Sequence, residues 1–220
     1  MNAESCPAAG FVLAGGRSLR MGSDKALAEF AGRPLIENAL AILRDAGLEP
    51  QIAGSRSNLT HFAPVIEDRG QGKGPLSGVC AALESTDARH AVFLPVDQPL
   101  IPASLIAHLV RHAQITGSTI TVASLCGASQ TFPAVIHRCA LPTFQTELAA
   151  GRNACWSAFG AAAGPNGACA VAVELFVQAG QLTHPRQLQP GYWFLNANTP
   201  EELARVNTLA RTRPITDRMP

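Results

Sequence analysis

An apolar run at residues 8–14 that ends on Gly15 and Gly16 constrains this chain most. Such a run suits a strand covered on both faces, and paired glycines suit a sharp loop at its end. Residues 34–46 then place apolar side chains at helical spacing, with Pro34 fit for the first turn and Gly47 for the C-terminal cap. Strand, glycine loop and helix in that order form the repeating unit of an α/β fold, with the first strand expected mid-sheet.

The pattern continues. Strands are predicted at 51–53, 64–66 and 90–95, and helices at 76–84, 102–114 and 141–150. Two β-like runs, 119–125 and 131–137, are expected to form an antiparallel pair, and strand-like residues resume at 168–173 after a small-residue loop at 160–167. The fold class is therefore α/β, a mostly parallel, doubly wound sheet with helices on both faces. At 220 residues with 47% hydrophobic content the chain suits one core. One domain is expected over residues 1–210, with a frayed tail at 211–220.

A formal net charge of +1 argues against bulk electrostatic binding to nucleic acid or to an anionic membrane, so anion recognition must be local. Six cysteines without a CxxC pair or zinc-ligand spacing point to reduced thiols, and no secretory or membrane-spanning run is evident, so a cytoplasmic location is expected. Lys25 and Lys73 are the only lysines among 17 basic residues, and both lie in glycine-rich segments.

Ligands of open α/β sheets sit beyond the carboxyl ends of the strands. The loop there, Leu13-Ala14-Gly15-Gly16-Arg17-Ser18-Leu19-Arg20-Met21-Gly22-Ser23-Asp24-Lys25, is neither a Walker A loop nor a GxGxxG fingerprint. Its glycines allow close backbone approach to phosphate, and Arg17, Arg20 and Lys25 offer countercharge. Asp97, fixed between Pro95 and Pro99 after an apolar strand, suits a hard cation such as Mg²⁺ or, equally, a helix cap or turn. His108 and His112 lie four apart on a predicted helix without a third ligand and read as a solvated face. Trp156 and Trp193 read as core or interface residues.

The glycine-loop string resembles the signature of nucleotidyltransferases, and most closely that of the molybdenum cofactor guanylyltransferase family. Three further segments resemble that family in the same order. They are Glu67-Asp68 with Gly74-Pro75-Leu76-Ser77-Gly78, then Leu94-Pro95-Val96-Asp97-Gln98-Pro99, then Phe194-Leu195-Asn196-Ala197-Asn198-Thr199-Pro200 with Glu201-Glu202-Leu203. The resemblance implies a Rossmann-like sheet binding GTP and Mg²⁺, and transfer of GMP to molybdopterin with release of pyrophosphate. Molybdoenzymes or other cofactor-biosynthesis proteins would be its partners.

The resemblance assigns catalysis to Arg20, Lys25 and Asp97, and the metal to Asp97. It assigns nucleotide contact to Leu13, Ala14, Gly15, Gly16, Lys25, Asp68, Gly74, Pro75, Leu76 and Asp97, with one further contact either missing or made by Ser55. Asn196 and Asn198 would face the acceptor, unless Asn198 or Thr199 simply caps the helix that follows. The chain departs from the family at Ile52-Ala53-Gly54-Ser55-Arg56, where an asparagine is usual, so base choice between GTP and CTP stays open. A sugar phosphate as acceptor, or a nucleotide-binding regulator without catalysis, are the other readings.

Overall fold

A computed structural model describes residues 8–15, 24–54, 56–68 and 74–211. Its strands are β1 (Ala9–Leu13), β2 (Glu29–Phe30), β3 (Arg33–Pro34), β4 (Pro50–Ala53), β5 (Val65–Ile66), β6 (His90–Pro95), β7 (Ile120–Leu125), β8 (Ala128–His137) and β9 (Cys169–Ala172). Its helices are α1 (Leu35–Asp45), α2 (Pro75–Glu84), α3 (Ala103–Thr116), α4 (Leu141–Ala149), α5 (Cys155–Ala163), α6 (Val173–Gln178), α7 (Pro190–Trp193) and α8 (Pro200–Arg211).

The main sheet has 7 strands in the order β5-β4-β1-β6-β8-β7-β9. Only β8 runs against the rest, paired antiparallel with both β6 and β7. The fold is thus the expected α/β class, mostly parallel, with β1 inside the sheet and an antiparallel β7–β8 pair. The chain leaves β1 toward β4 on one side and later returns to β6 on the other. The gap between the carboxyl ends of β1 and β6 is therefore a topological switch point, where a ligand crevice opens.

Alternation along the strands supplies two cores. Val12, Val92 and Leu94 face a layer holding Leu35, Ile36, Leu40 and Leu43 of α1, Leu105, Ile106 and Leu109 of α3, and Val206 of α8. Phe11, Ala91 and Phe93 face the other layer, built on Leu76, Val79 and Leu83 of α2, Phe144 of α4 and Phe159 of α5. Successive side chains point to opposite faces, so β1, and β6 after His90, are apolar on both.

Two expectations are corrected. Residues 160–163, read as part of a loop, continue α5, because alanine is a strong helix former and Cys155, Ala158 and Phe159 bury one face of it. His108 is not fully solvated, since its ring lies 4.1 Å from that of Phe176 on α6. Of the tryptophans, Trp193 is in the core with Nε1 donating to the Leu188 carbonyl at 2.8 Å, whereas Trp156 is 47% exposed. The tail expected beyond α8 lies outside the described residues from position 212 onward.

Candidate active site

The strands bring three of the proposed residues together from distant parts of the chain. Lys25 Nζ lies 2.6 Å from Asp97 Oδ2 and donates to Asn198 Oδ1 at 2.5 Å. The Lys25 and Asp97 side chains are 17% and 21% exposed, so the pair sits in a crevice that a ligand can still reach. Local structure explains each placement.

Asp97 follows β6, whose neighbour Val96 donates its N–H to the Leu13 carbonyl at 3.1 Å, locking the loop after β6 to the end of β1. The Asp97 carbonyl accepts the Ala197 N–H at 2.9 Å, which draws the segment before α8 onto the same edge. There Ala197 is buried while Asn196 is exposed, and Asn198 turns to Lys25. Thr199 Oγ1 accepts the Glu202 N–H at 3.2 Å, and Glu202 Oε2 accepts the Asn198 N–H at 2.7 Å. This is a form of the capping box, with Thr199 as cap, so the Asn198 side chain is left for Lys25.

Lys25 itself begins a short 3-10 turn, Lys25–Leu27, capped by Asp24, whose Oδ1 accepts the Ala26 N–H at 3.0 Å. The same carboxylate accepts from Asn58 Nδ2 at 2.9 Å and from the Arg56 guanidinium. Burial raises the Asp24 carboxyl, but hydrogen bonds from Arg56, Asn58 and the Ala26 N–H, with the charge of Arg56, outweigh it and hold the group below its ordinary value. Arg56 Nη1 also donates to the Ala14 carbonyl at 3.0 Å. Sequence reading passed over Asp24, Arg56 and Asn58 as site residues, because an ion pair across 32 positions leaves no local pattern.

Leu13, Ala14 and Gly15 stand at the end of β1, where Ala14 donates to the Ala53 carbonyl at 3.2 Å. Gly54, at φ +137°, packs so closely there that a Cβ would meet Gly15 N at 3.2 Å, a contact only glycine accommodates comfortably. Gly16, Arg20 and Ser55 lie outside the described residues, as do Arg17 and Lys73.

Asp68 and the Gly74-Pro75-Leu76 segment form a second, separate cluster. The hydroxyl of buried Ser77, in the first turn of α2, donates to Asp68. Gly74 at φ +79° enters the helix with no side-chain cap bond among the described residues, and Pro75, without an N–H, takes its first position. Beside them a groove of about 590 Å³ is lined by residues including Glu67, Asp68, Glu84 and Gln145, with no lysine or arginine among its described lining.

Among the described residues no group of three or more His, Cys, Asp or Glu could cage a metal ion. The single carboxylate of Asp97, which shares the Lys25 ammonium with the Asn198 amide oxygen, has the hard-oxygen chemistry that suits Mg²⁺, which keeps waters and binds largely through substrate phosphates.

The arrangement matches a shared architecture. A family model for the MobA-like NTP transferase domain fits residues 10–171, and the chain belongs to that family of nucleotidyltransferases. It is 43% identical over 110 residues to the molybdenum cofactor guanylyltransferase of Xanthomonas euvesicatoria, covering 49% of this chain and 56% of that one. To the protein of the same name from Shewanella halifaxensis it is 36% identical over 118 residues, covering 51% and 59%. The chain thus matches little more than half the length of these relatives.

Its fold is shared with molybdopterin-guanine dinucleotide biosynthesis protein A from Archaeoglobus fulgidus, at TM-score 0.72, 19% identity, and 91% and 97% coverage. It is shared also with 2-C-methyl-D-erythritol 4-phosphate cytidylyltransferase from Thermus thermophilus, at TM-score 0.64, 16% identity, and 94% and 100% coverage. Fold alone therefore does not choose the base.

Proposed function

We propose that this chain transfers GMP from GTP to molybdopterin, releasing pyrophosphate and forming a guanine dinucleotide cofactor, with Mg²⁺ held at Asp97. The observation that carries the reading is the Lys25–Asp97–Asn198 cluster at the switch point between β1 and β6. One ammonium and one carboxylate are what a Mg²⁺-triphosphate needs there.

Lys25 would donate to triphosphate oxygens, and Asp97 would be the residue that holds the metal. Bound there, Mg²⁺ would neutralise charge on the triphosphate. An acceptor phosphate oxygen attacks the α-phosphorus in line, so that one P–O bond forms as the bond to pyrophosphate breaks. A phosphate monoester is already ionised near neutrality, so the chain's part is to position and to neutralise charge. Arg20 would add countercharge. Leu13, Ala14, Gly15 and Gly16 would present backbone to the nucleotide, and Ser55 would stand in for the family's usual asparagine.

The base falls to the acid-lined groove. Guanine offers N–H donors on its pairing edge, and the groove carries the carboxylates of Glu67, Asp68 and Glu84, of which Asp68 already accepts from Ser77, near the start of α2 at Gly74, Pro75 and Leu76. Cytosine leaves such acceptors differently matched, and an unpaired buried polar group costs about 1–3 kcal/mol. Asn196 and Asn198 would face the acceptor from the segment before α8.

The test offers the protein each of the four nucleoside triphosphates with Mg²⁺ and molybdopterin, and weighs the products by mass spectrometry. GMP incorporation is expected. Preferential CMP incorporation would move the chain to cytidylyl transfer, turnover only with a sugar phosphate would replace the acceptor, and no pyrophosphate at all would leave a nucleotide-binding regulator.

A further inference from the structure

Arg56 lies in the segment where this sequence departs from the family pattern, and its guanidinium reaches two separate parts of the site. Nη1 donates to the Ala14 carbonyl at the end of β1, at 3.0 Å, while Nη2 donates to the Asp24 carboxylate. Nε makes a longer contact with Asn58 Oδ1 at 3.5 Å, and Asn58 returns a hydrogen bond to Asp24. The Arg56 side chain is only 17% exposed, so these acceptors, not solvent, surround it.

Asp24 is the residue before Lys25 and caps the turn that Lys25 begins. Whatever holds Asp24 to β1 therefore sets where the Lys25 ammonium can stand. A guanidinium is suited to that task because its planar fork can engage a carbonyl and a carboxylate at once, which a lysine ammonium on a flexible stem does poorly. Lys25 meets its other partners, Asp97 and Asn198, through its side chain, so the backbone tether through Asp24 is independent of them.

We propose that Arg56 is a positioning residue, which ties Asp24 to the end of β1 and thereby fixes Lys25 for the nucleoside triphosphate. The inference rests on the reading of Lys25 as a triphosphate contact. It adds that Arg56, the residue after the Ser55 that stands where the family usually has asparagine, acts on the phosphate side of the site, through Asp24, and not on the base.

The variants are Arg56→Ala, Arg56→Lys and Asp24→Asn, with binding of GTP and of guanosine measured by calorimetry in the presence of Mg²⁺. Loss of a charge-assisted hydrogen bond predicts that Arg56→Ala weakens GTP about tenfold to a hundredfold and guanosine by less than about threefold. Arg56→Lys should recover part of the loss, as should millimolar guanidinium added to Arg56→Ala. In turnover the KM for the triphosphate rises and that for the acceptor holds. Circular dichroism melting checks the fold. If Arg56→Ala does not fold, Asp24→Asn carries the test, since it keeps shape while removing the charge that Arg56 grips and putting an amide N–H in place of one accepting oxygen. Unchanged GTP binding, or equal losses for GTP and guanosine, would overturn the positioning role. A wild-type protein that binds no triphosphate would instead overturn the functional reading beneath it.

Discussion

The two ends of β6 treat charge in opposite ways. At its carboxyl end Asp97 stays within 2.6 Å of the Lys25 ammonium and its carbonyl is also bonded, so an ionised group is kept and paired. At its amino end His90 is 4% exposed, its Nε2 has no hydrogen-bond partner among the described residues, and its ring stands 5.0 Å from that of His137 on β8. Burial lowers the pKa of His90, with the neighbouring His137 and Arg89 charges adding to the effect, so the imidazole is held neutral. The strand keeps a charge at its more open end, where the fold brings up the opposite charge, and a neutral ring at its closed end. Burial and pairing together separate a site from a piece of core.

Asp97→Asn should damage this contrast most. The amide keeps the shape but is a poorer Mg²⁺ ligand and leaves Lys25 without its counter-ion, so turnover should fall by about a hundredfold or more while the melting temperature changes little. Near-normal turnover at limiting Mg²⁺ would remove Asp97 from the metal. Lys25→Ala comes next: triphosphate binding should weaken about tenfold or more, and nucleoside binding far less. Equal losses in calorimetry would sink the phosphate assignment.

Asp68→Asn probes the acidic part of the same sheet edge. It replaces an acceptor-only group by one that can also donate, so the preference for GTP over CTP should shrink about tenfold in direct competition, with total turnover less affected. An unaltered ratio would take base selection elsewhere.

The smallest effect belongs to the amino end of β6. Both His90 and His137 have folded pKa values lowered from 6.5, so the unfolded chain binds protons more readily than the folded one. Their contribution is complete above pH 6.5 and is lost as pH falls through the lowered folded values. The melting temperature should drop by about 2–4 °C for each kcal/mol so lost. A His90→Asn/His137→Asn double variant should flatten that slope between pH 7 and 5. An identical slope would mean the pair is not the titrating element.

Much of this edge could be read from the sequence. The apolar runs of β1 and β6 and the spacing of α1 announce themselves because each is a regular element with a single environment along its length. Lys25, Asp97 and Asn198 could be named from motifs, though their meeting at one ammonium could not, since it depends on how strands are ordered in the sheet. The β2–β3 hairpin escaped notice because it pairs only Glu29 with Pro34 and Phe30 with Arg33 around Ala31 and Gly32. Asn207 of α8 secures it, accepting the Ala31 N–H at 2.9 Å and donating to the Glu29 carbonyl at 3.0 Å. Helix α5 was masked by its small residues, which carry little hydrophobic contrast. Arg56 left no sign of its own in the sequence, because its worth lies in acceptors on other segments, the Ala14 carbonyl and the Asp24 carboxylate.

The Lys25 ammonium bonds partners 72 and 173 positions away in the chain. During synthesis from the amino terminus, Lys25 and Asp97 can meet on a half-made sheet, whereas Asn198 is added only after β7, β8 and β9 have been made. Closing so long a loop is entropically slow and gains nothing until the strands between have packed. On the proposed reading the cluster would be complete only once α8 has docked, so nucleoside triphosphate and acceptor together would stabilise the finished fold more than a chain still lacking its last helix.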